Sequence, residues 1–242
     1  MHATEFWDNL FLQGQEFGYS RVEMPDLNDP VLQRALSHFG DVKGKTIIDL
    51  GCGRGATSLY FAHCGANVIS VDSSEIAIKI LSEYCKNNSI ENISPLHISA
   101  QGINALPQVD YVFGSMILHH IEPFDEFALI LRNSIKLGGK AFFWENNAQS
   151  KIMIWFRQNI IGKLWVPKYG DPDEFPLTPG EVGELRKRFN VNIEYPELLY
   201  FRMISFYLFR GHLMKPFQTL DGYFFKFQKF REHCYRQILL LT

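Results

Sequence analysis

From Lys45 onward the chain alternates short apolar runs with helix-length stretches: TIIDL before a segment through SLYFAHC, NVISVD before IAIKILSEYCKNN, then ISPLHIS, DYVFGSM and KAFFWEN. Short runs rich in β-branched and aromatic residues read as strands. Their alternation with helical segments specifies βαβ units, and so a parallel sheet covered by helices on both faces. The predicted class is α/β, doubly wound. Asn87-Asn88-Ser89 and Leu137-Gly138-Gly139 are the turns expected to stop helices between units.

Either side of this core the pattern changes. Residues 1–44 read as two helical pieces around EMPDLNDP, where Pro25 and Pro30 forbid a continuous helix, and form an N-terminal cap. KIMIWFRQNIIGKLW has apolar residues at helical spacing and is expected to pack over the site, followed by PKYGDPDEFP as a loop. In PLTPGEVGELRKRF, Thr178-Pro179 and the acids after it mark a helix start. VNIEYPELLYF is a strand candidate and RQILLLT the closing strand, with an aromatic-rich insertion between them. The expected organisation is one domain over 1–242: cap 1–44, core 45–147, and substrate-side helices and closing strands 148–242.

Composition narrows the function classes. With 242 residues, 46% hydrophobic and 21% charged, the chain can bury a full core. A formal net charge of -2 argues against a general nucleic-acid binder. Cys52, Cys64, Cys85 and Cys234 form no C-x-x-C pair, so neither disulfides nor a metal site are expected. The first residues, with Glu5 and Asp8, lack a secretion-signal pattern, and no run of about 18 apolar residues offers a membrane span. A cytoplasmic protein is expected.

The chemistry concentrates in IIDLGCGRGATS, residues 47–58. Gly51, Gly53 and Ala56 satisfy G-x-G-x-x-G/A, a turn that offers a helix N-terminus to a pyrophosphate. Gly51, Gly53 and Gly55 behind Asp49 equally make D-x-G-x-G-x-G. A carboxylate at the strand end repels pyrophosphate, but it could accept from an ammonium group or order the loop amides. Asp72, ending NVISVD, lies where a carboxylate can take both hydroxyls of a ribose.

Taken in order, IIDLGCGRG, VISVD, DYVFGSMILHHI and IKLGGKAFFWEN resemble the motifs of the class I S-adenosylmethionine-dependent methyltransferases, over roughly residues 45–147. The resemblance implies a mostly parallel seven-stranded sheet of the Rossmann-like methyltransferase fold and S-adenosyl-L-methionine as cofactor. It would place Asp49, Gly51, Gly53 and Gly55 around the methionyl end and Asp72 on the ribose. Ser73 would lie beside the adenine, and Ser115 of the fourth-strand motif on the cofactor. The acidic residue often found after the third strand is missing. HISAQG offers Gln101, or the backbone of Ala100, instead.

For the transfer itself, a methyl on a sulfonium needs chiefly an aligned nucleophile in a dry pocket, and a hydroxyl acceptor gains from a base. His120 is the first candidate for that base and His119 the second; one of the two is expected to be a structural hydrogen-bonder. Glu145, ending FFWEN, reads as a loop-ordering carboxylate or a polar group at the pocket mouth. The acceptor side is expected from the cap, with Phe6, Trp7, Phe11, Phe17 and Tyr19, or from the insertion at 197–235. The insertion interleaves aromatics with Arg202, Arg210, Lys215, Lys226, Lys229 and Arg231, with Arg236 at its end, against few acids, chiefly Asp221 and Glu232. Its rings are expected to pack on one another and on the sheet, with the cations as a solvated side and without peripheral membrane contact.

The expected activity is methyl transfer to a small-molecule acceptor, a secondary metabolite, sugar or lipid-type compound, at oxygen, with nitrogen or carbon as alternatives. A non-catalytic cofactor-binding protein is a rival. An NAD-dependent oxidoreductase is another, but the Y-x-x-x-K signature fails at Tyr84, which is followed by Asn88.

Overall fold

The computed structural model describes residues 7–9, 11, 22–160, 163 and 175–242. Strands β1 (Thr46–Leu50), β2 (Asn67–Asp72), β3 (Ile93–His97), β4 (Val109–Ser115) and β5 (Ile135–Asn146) run parallel. β6 (Val191–Glu194) and β7 (Arg236–Leu241) complete a seven-stranded sheet in the order β3-β2-β1-β4-β5-β7-β6, with β7 antiparallel to both neighbours. The sheet is doubly wound and mostly parallel, as predicted. Strand order reverses at β1, which lies between β2 and β4. The crevice beyond the carboxyl ends of those three strands is where a ligand is expected in such a sheet.

Neighbouring strand residues part to opposite faces, which is why the strands read as continuous apolar runs. Ile47, Phe113 and Phe142 face one core, closed by α1 (Pro30–Phe39), α2 (Ala56–His63) and α3 (Glu75–Asn87) through Phe39, Phe61 and Leu81. Ile48, Val112 and Phe143 face the other, closed by α4 (Phe124–Ser134) and α6 (Pro179–Arg186) through Phe127, Leu131, Val182 and Leu185. The cap helix α1 starts where its sequence signals it: Asp29 accepts from the amides of Val31 and Leu32, and Pro30 needs no hydrogen bond there. At α6, Thr178 and Glu181 cap each other's backbone.

Two expectations are corrected. Leu137-Gly138-Gly139 does not stop a helix, since α4 has ended at Ser134 and the glycines lie inside β5. Gly139 serves a close approach there, because a Cβ on it would stand 2.6 Å from the carbonyl oxygen of Asp110. VNIEYPELLYF is a strand only to Glu194; Pro196 follows, and Tyr200 opens a helix, α7 (Tyr200–Leu208). Two more helices, α8 (Met214–Phe225) and α9 (Gln228–Arg231), fill the rest of the insertion. The helix read in KIMIWFRQNIIGKLW forms as α5 (Lys151–Asn159) behind Ser150 as its cap. Of the loop read over 167–176, all but Phe175 and Pro176 lies outside the described residues.

Candidate active site

Parallel register brings the ends of β1, β2 and β4 level: Leu50 pairs with Val71 on one side and Gly114 on the other. The three loops that leave these strands therefore converge on one cavity of about 380 Å³, within the size range of pockets for small ligands. Gly51, Gly53, Asp72, Ser73, Ala100, Gln101, Ser115 and His120 all line it.

Each wall has a local cause. The turn after β1 holds Gly51 at φ 69°, and a Cβ on it would stand 2.7 Å from the Ile117 side chain, so the bare backbone is required for both conformation and space. At the end of β2, Asp72 Oδ2 accepts from the Gly53 amide and Oδ1 from the Ser74 amide, both at 2.8 Å. Each oxygen retains a lone pair, so the oriented carboxylate can still receive two hydroxyls. Burial raises the Asp72 pKa; its two amide bonds oppose the shift and the nearby Asp8 carboxylate adds to it. In the short 3-10 turn Ala100–Ala105, Gln101 donates through Nε2 to the Glu122 carbonyl at 3.0 Å, which ties the loop after β3 to the loop after β4.

Three predicted site residues do not reach the cavity. Asp49 is 1% exposed and accepts from Thr57 Oγ1 at 2.5 Å and Ser58 Oγ at 2.6 Å, so it fastens the start of α2 to β1 instead of facing a ligand. Burial pushes its pKa up to about 6 against the pull of those hydroxyl bonds. Gly55 faces inward: a Cβ there would stand 2.3 Å from Leu81 Cδ1, so the glycine lets α3 pack against the turn. His119 has a side chain 1% exposed, with Nδ1 2.6 Å from Glu145 Oε2.

That contact gives Glu145 its role. Fully buried, it accepts through Oε1 from the amides of Ile117 (2.8 Å) and Leu118 (2.7 Å), and through Oε2 it meets His119. One carboxylate at the end of β5 thereby fixes the loop that follows β4, and the next residue, His120, is delivered to the cavity wall. Glu145 is the loop-ordering group, and His119 the structural member of the histidine pair.

The cap supplies the outer wall. Trp7 stands edge-on to the His120 ring at 5.9 Å between centroids, and Phe11 also lines the cavity. Arg54 donates to the Phe11 carbonyl at 2.5 Å and lies over its ring at 5.5 Å, while Ser74 donates to Asp8. Phe6, Phe17 and Tyr19 fall outside the described residues. Among the described residues, neither α5 nor the helices of the insertion line the cavity, so α5 does not pack over the site. Sequence reasoning missed the apolar walls Leu50, Val71, Ile98, Met116, Ile117 and Ile121, and also Ser99 and Glu122. Their signal was position alone, at or just beyond strand ends. Cys52 is buried on the wall with its pKa pushed up by burial.

Comparison with known proteins points to methyltransferases. Residues 47–139 match a family described as a methyltransferase domain. The ubiquinone biosynthesis O-methyltransferase of Rickettsia felis is 26% identical over 189 residues, covering 77% of this chain and 76% of its own length. That of Rickettsia bellii (strain OSU 85-389) is 28% identical over 182 residues, covering 74% and 75%. The crystal structure of a methyltransferase from Archaeoglobus fulgidus superposes with a TM-score of 0.60 at 19% identity, over 96% of this chain and 98% of that one, and shows the same fold.

Proposed function

The chain is a class I S-adenosylmethionine-dependent methyltransferase, and from that premise we propose that the described cavity holds the cofactor and that the methyl group goes to a hydroxyl oxygen of a small-molecule acceptor. The observation that carries the reading is the convergence of an oriented Asp72, a bare Gly51 backbone and His120 on one cavity. The donor set fits a nucleoside that bears an amino acid. A pyrophosphate in the same turn would meet Asp72, whose charge already acts on Asp49.

In this reading Asp72 receives the ribose hydroxyls, Ser73, Ala100 and Gln101 flank the adenine, and Gly51, Gly53 and Ser115 border the methionyl end. When bound, S-adenosylmethionine supplies a methyl carbon made electrophilic by its sulfonium. The chain's own part is to hold the acceptor, exclude water and accept a proton. Trp7, Phe11, Ile117 and Ile121 make the apolar walls against which an acceptor packs. His120, placed by the loop that Glu145 orders, takes the hydroxyl proton as the oxygen attacks. Oxygen as the accepting atom is supported by the names of the two Rickettsia relatives and by the presence of this base.

The test pairs acceptors that differ only in carrying a hydroxyl or an amine, with labelled methyl transfer read by mass spectrometry. Methylation at the hydroxyl is expected. His120→Ala should lower kcat by about a hundredfold, with activity returning as rising pH ionises the acceptor itself. Transfer to the amine, or an unchanged kcat in the variant, would refute the assignment.

A further inference from the structure

We propose that the outward face of α7, α8 and α9 docks on the surface of an anionic lipid bilayer. This surface is separate from the cavity and does not depend on the acceptor.

The insertion only half satisfies its own apolar residues. Phe201, Phe217 and Phe224 cover one another, with ring centroids 5.5–6.1 Å apart, as the sequence leads one to expect. Phe206, Leu208, Phe209, Tyr223, Phe227 and Phe230 do not follow, and remain between 38% and 55% exposed. Phe209, Tyr223, Phe227 and Phe230 belong to one connected layer. Phe209 touches Phe217 (5.9 Å), Phe217 touches Phe201, Phe201 touches Phe224, and Phe224 touches Phe230 (5.1 Å), which meets Phe227. A second line runs from Phe206 through Tyr207 to Phe156 of α5, where Ile152 and Trp155 are 72% and 58% exposed. Isolated exposed rings are ordinary; a connected layer of this extent marks a contact surface.

Charge selects the partner. Residues 197–235 hold six Lys and Arg against Glu197, Asp221 and Glu232, in a chain whose net charge is -2. Asp221 is buried, accepting from the amides of Phe201 and Arg202 at 3.0 Å and pairing with the Arg202 guanidinium at 3.5 Å; Glu197 also pairs with Arg202, at 2.5 Å. Arg210, Lys215, Lys226 and Lys229 are exposed on or between these same helices. Lysines among exposed rings suit poorly the core of a protein–protein contact, from which Lys is depleted. They suit an anionic interface, where aromatic rings enter the headgroup boundary and cations meet lipid charge. Among the described residues no helix is long and apolar enough to cross a membrane, so the contact is peripheral.

Co-sedimentation of the full chain with phosphatidylcholine vesicles, with and without phosphatidylglycerol, tests this. Binding is expected only with the anionic lipid, weakening as salt rises. The triple variant Lys215→Glu/Lys226→Glu/Lys229→Glu should lose roughly a hundredfold in affinity. The salt dependence of the wild type keeps the test independent of how that variant folds. Equal binding to both vesicles, no binding at all, or sedimentation velocity showing that Phe209→Ser/Phe227→Ser dissociates a wild-type dimer would each overturn the proposal.

Discussion

The carboxyl end of the sheet and the insertion before β7 invert the usual distribution of residues in opposite senses. Around the cavity, Asp49, Ser58, Ser70, Ser74 and Glu145 are polar and buried. Each has a partner: Ser70 donates to Ser58 at 2.7 Å and Ser58 to Asp49, for example. Across the insertion, rings are apolar and exposed. A buried polar group costs stability unless bonded, so its partners specify a single geometry. An exposed ring costs the fold little and specifies nothing until something covers it. Bonded polar groups are concentrated where placement decides chemistry, and uncovered rings lie across the insertion.

The largest effect is expected where a buried polar group meets a ligand. Asp72→Ala removes the two acceptors assigned to the ribose, and calorimetry with S-adenosylhomocysteine should show affinity reduced by about a hundredfold or more, as loss of charged hydrogen bonds requires. Unchanged affinity would separate the carboxylate from the cofactor. Next comes Gly55→Ala, which places a Cβ against Leu81 at a φ of 86°. Thermal and denaturant melts should register about 2–4 kcal/mol of destabilisation from strain and overpacking.

Asp49→Asn sharpens the comparison through pH. The folded-state pKa of about 6 lies above the ordinary aspartate value of 3.8, so the folded protein holds this proton more tightly than the unfolded chain. The stability contributed by the protonated form is complete below the unfolded value and is lost as pH rises through about 6. The variant lacks that loss, and its melting temperature relative to wild type should increase between pH 4 and pH 7. A difference independent of pH would contradict a strained, buried charge at this position. The smallest effect belongs to the other region: Phe206→Ser, at a site 51% exposed, should change stability by no more than about 0.5 kcal/mol in the absence of lipid. A larger loss would mean that the ring supports the fold.

Much of the pocket was legible because its signals are local. Gly51, Gly53 and Asp72 sit at fixed offsets from strand ends, and any parallel sheet carries such positions to the same edge. The distinction between His119 and His120 was not legible. They are adjacent, and which one is withdrawn depends on Glu145, 26 residues later and brought there by the neighbouring strand. Gly55 looked like a third cradle residue by spacing alone. Leu81, a residue of another helix, decides otherwise. For the insertion, helical apolar spacing cannot state how many of its rings find partners, since three helices share the same few contacts.

The order of apolar runs and helical stretches was enough, by itself, to determine a doubly wound α/β core with a glycine turn after β1 and an acid ending β2, because strand periodicity and turn stereochemistry act over a few residues. It determined the non-helical stretch before Pro30 and the start of α6 for the same reason. Only the tertiary structure decided that Asp49 and His119 face inward, that Trp7 meets His120, and that the rings of α7 to α9 stay uncovered. Those outcomes depend on which distant groups compete for the same space and the same hydrogen bonds, and that competition exists only once the sheet has closed.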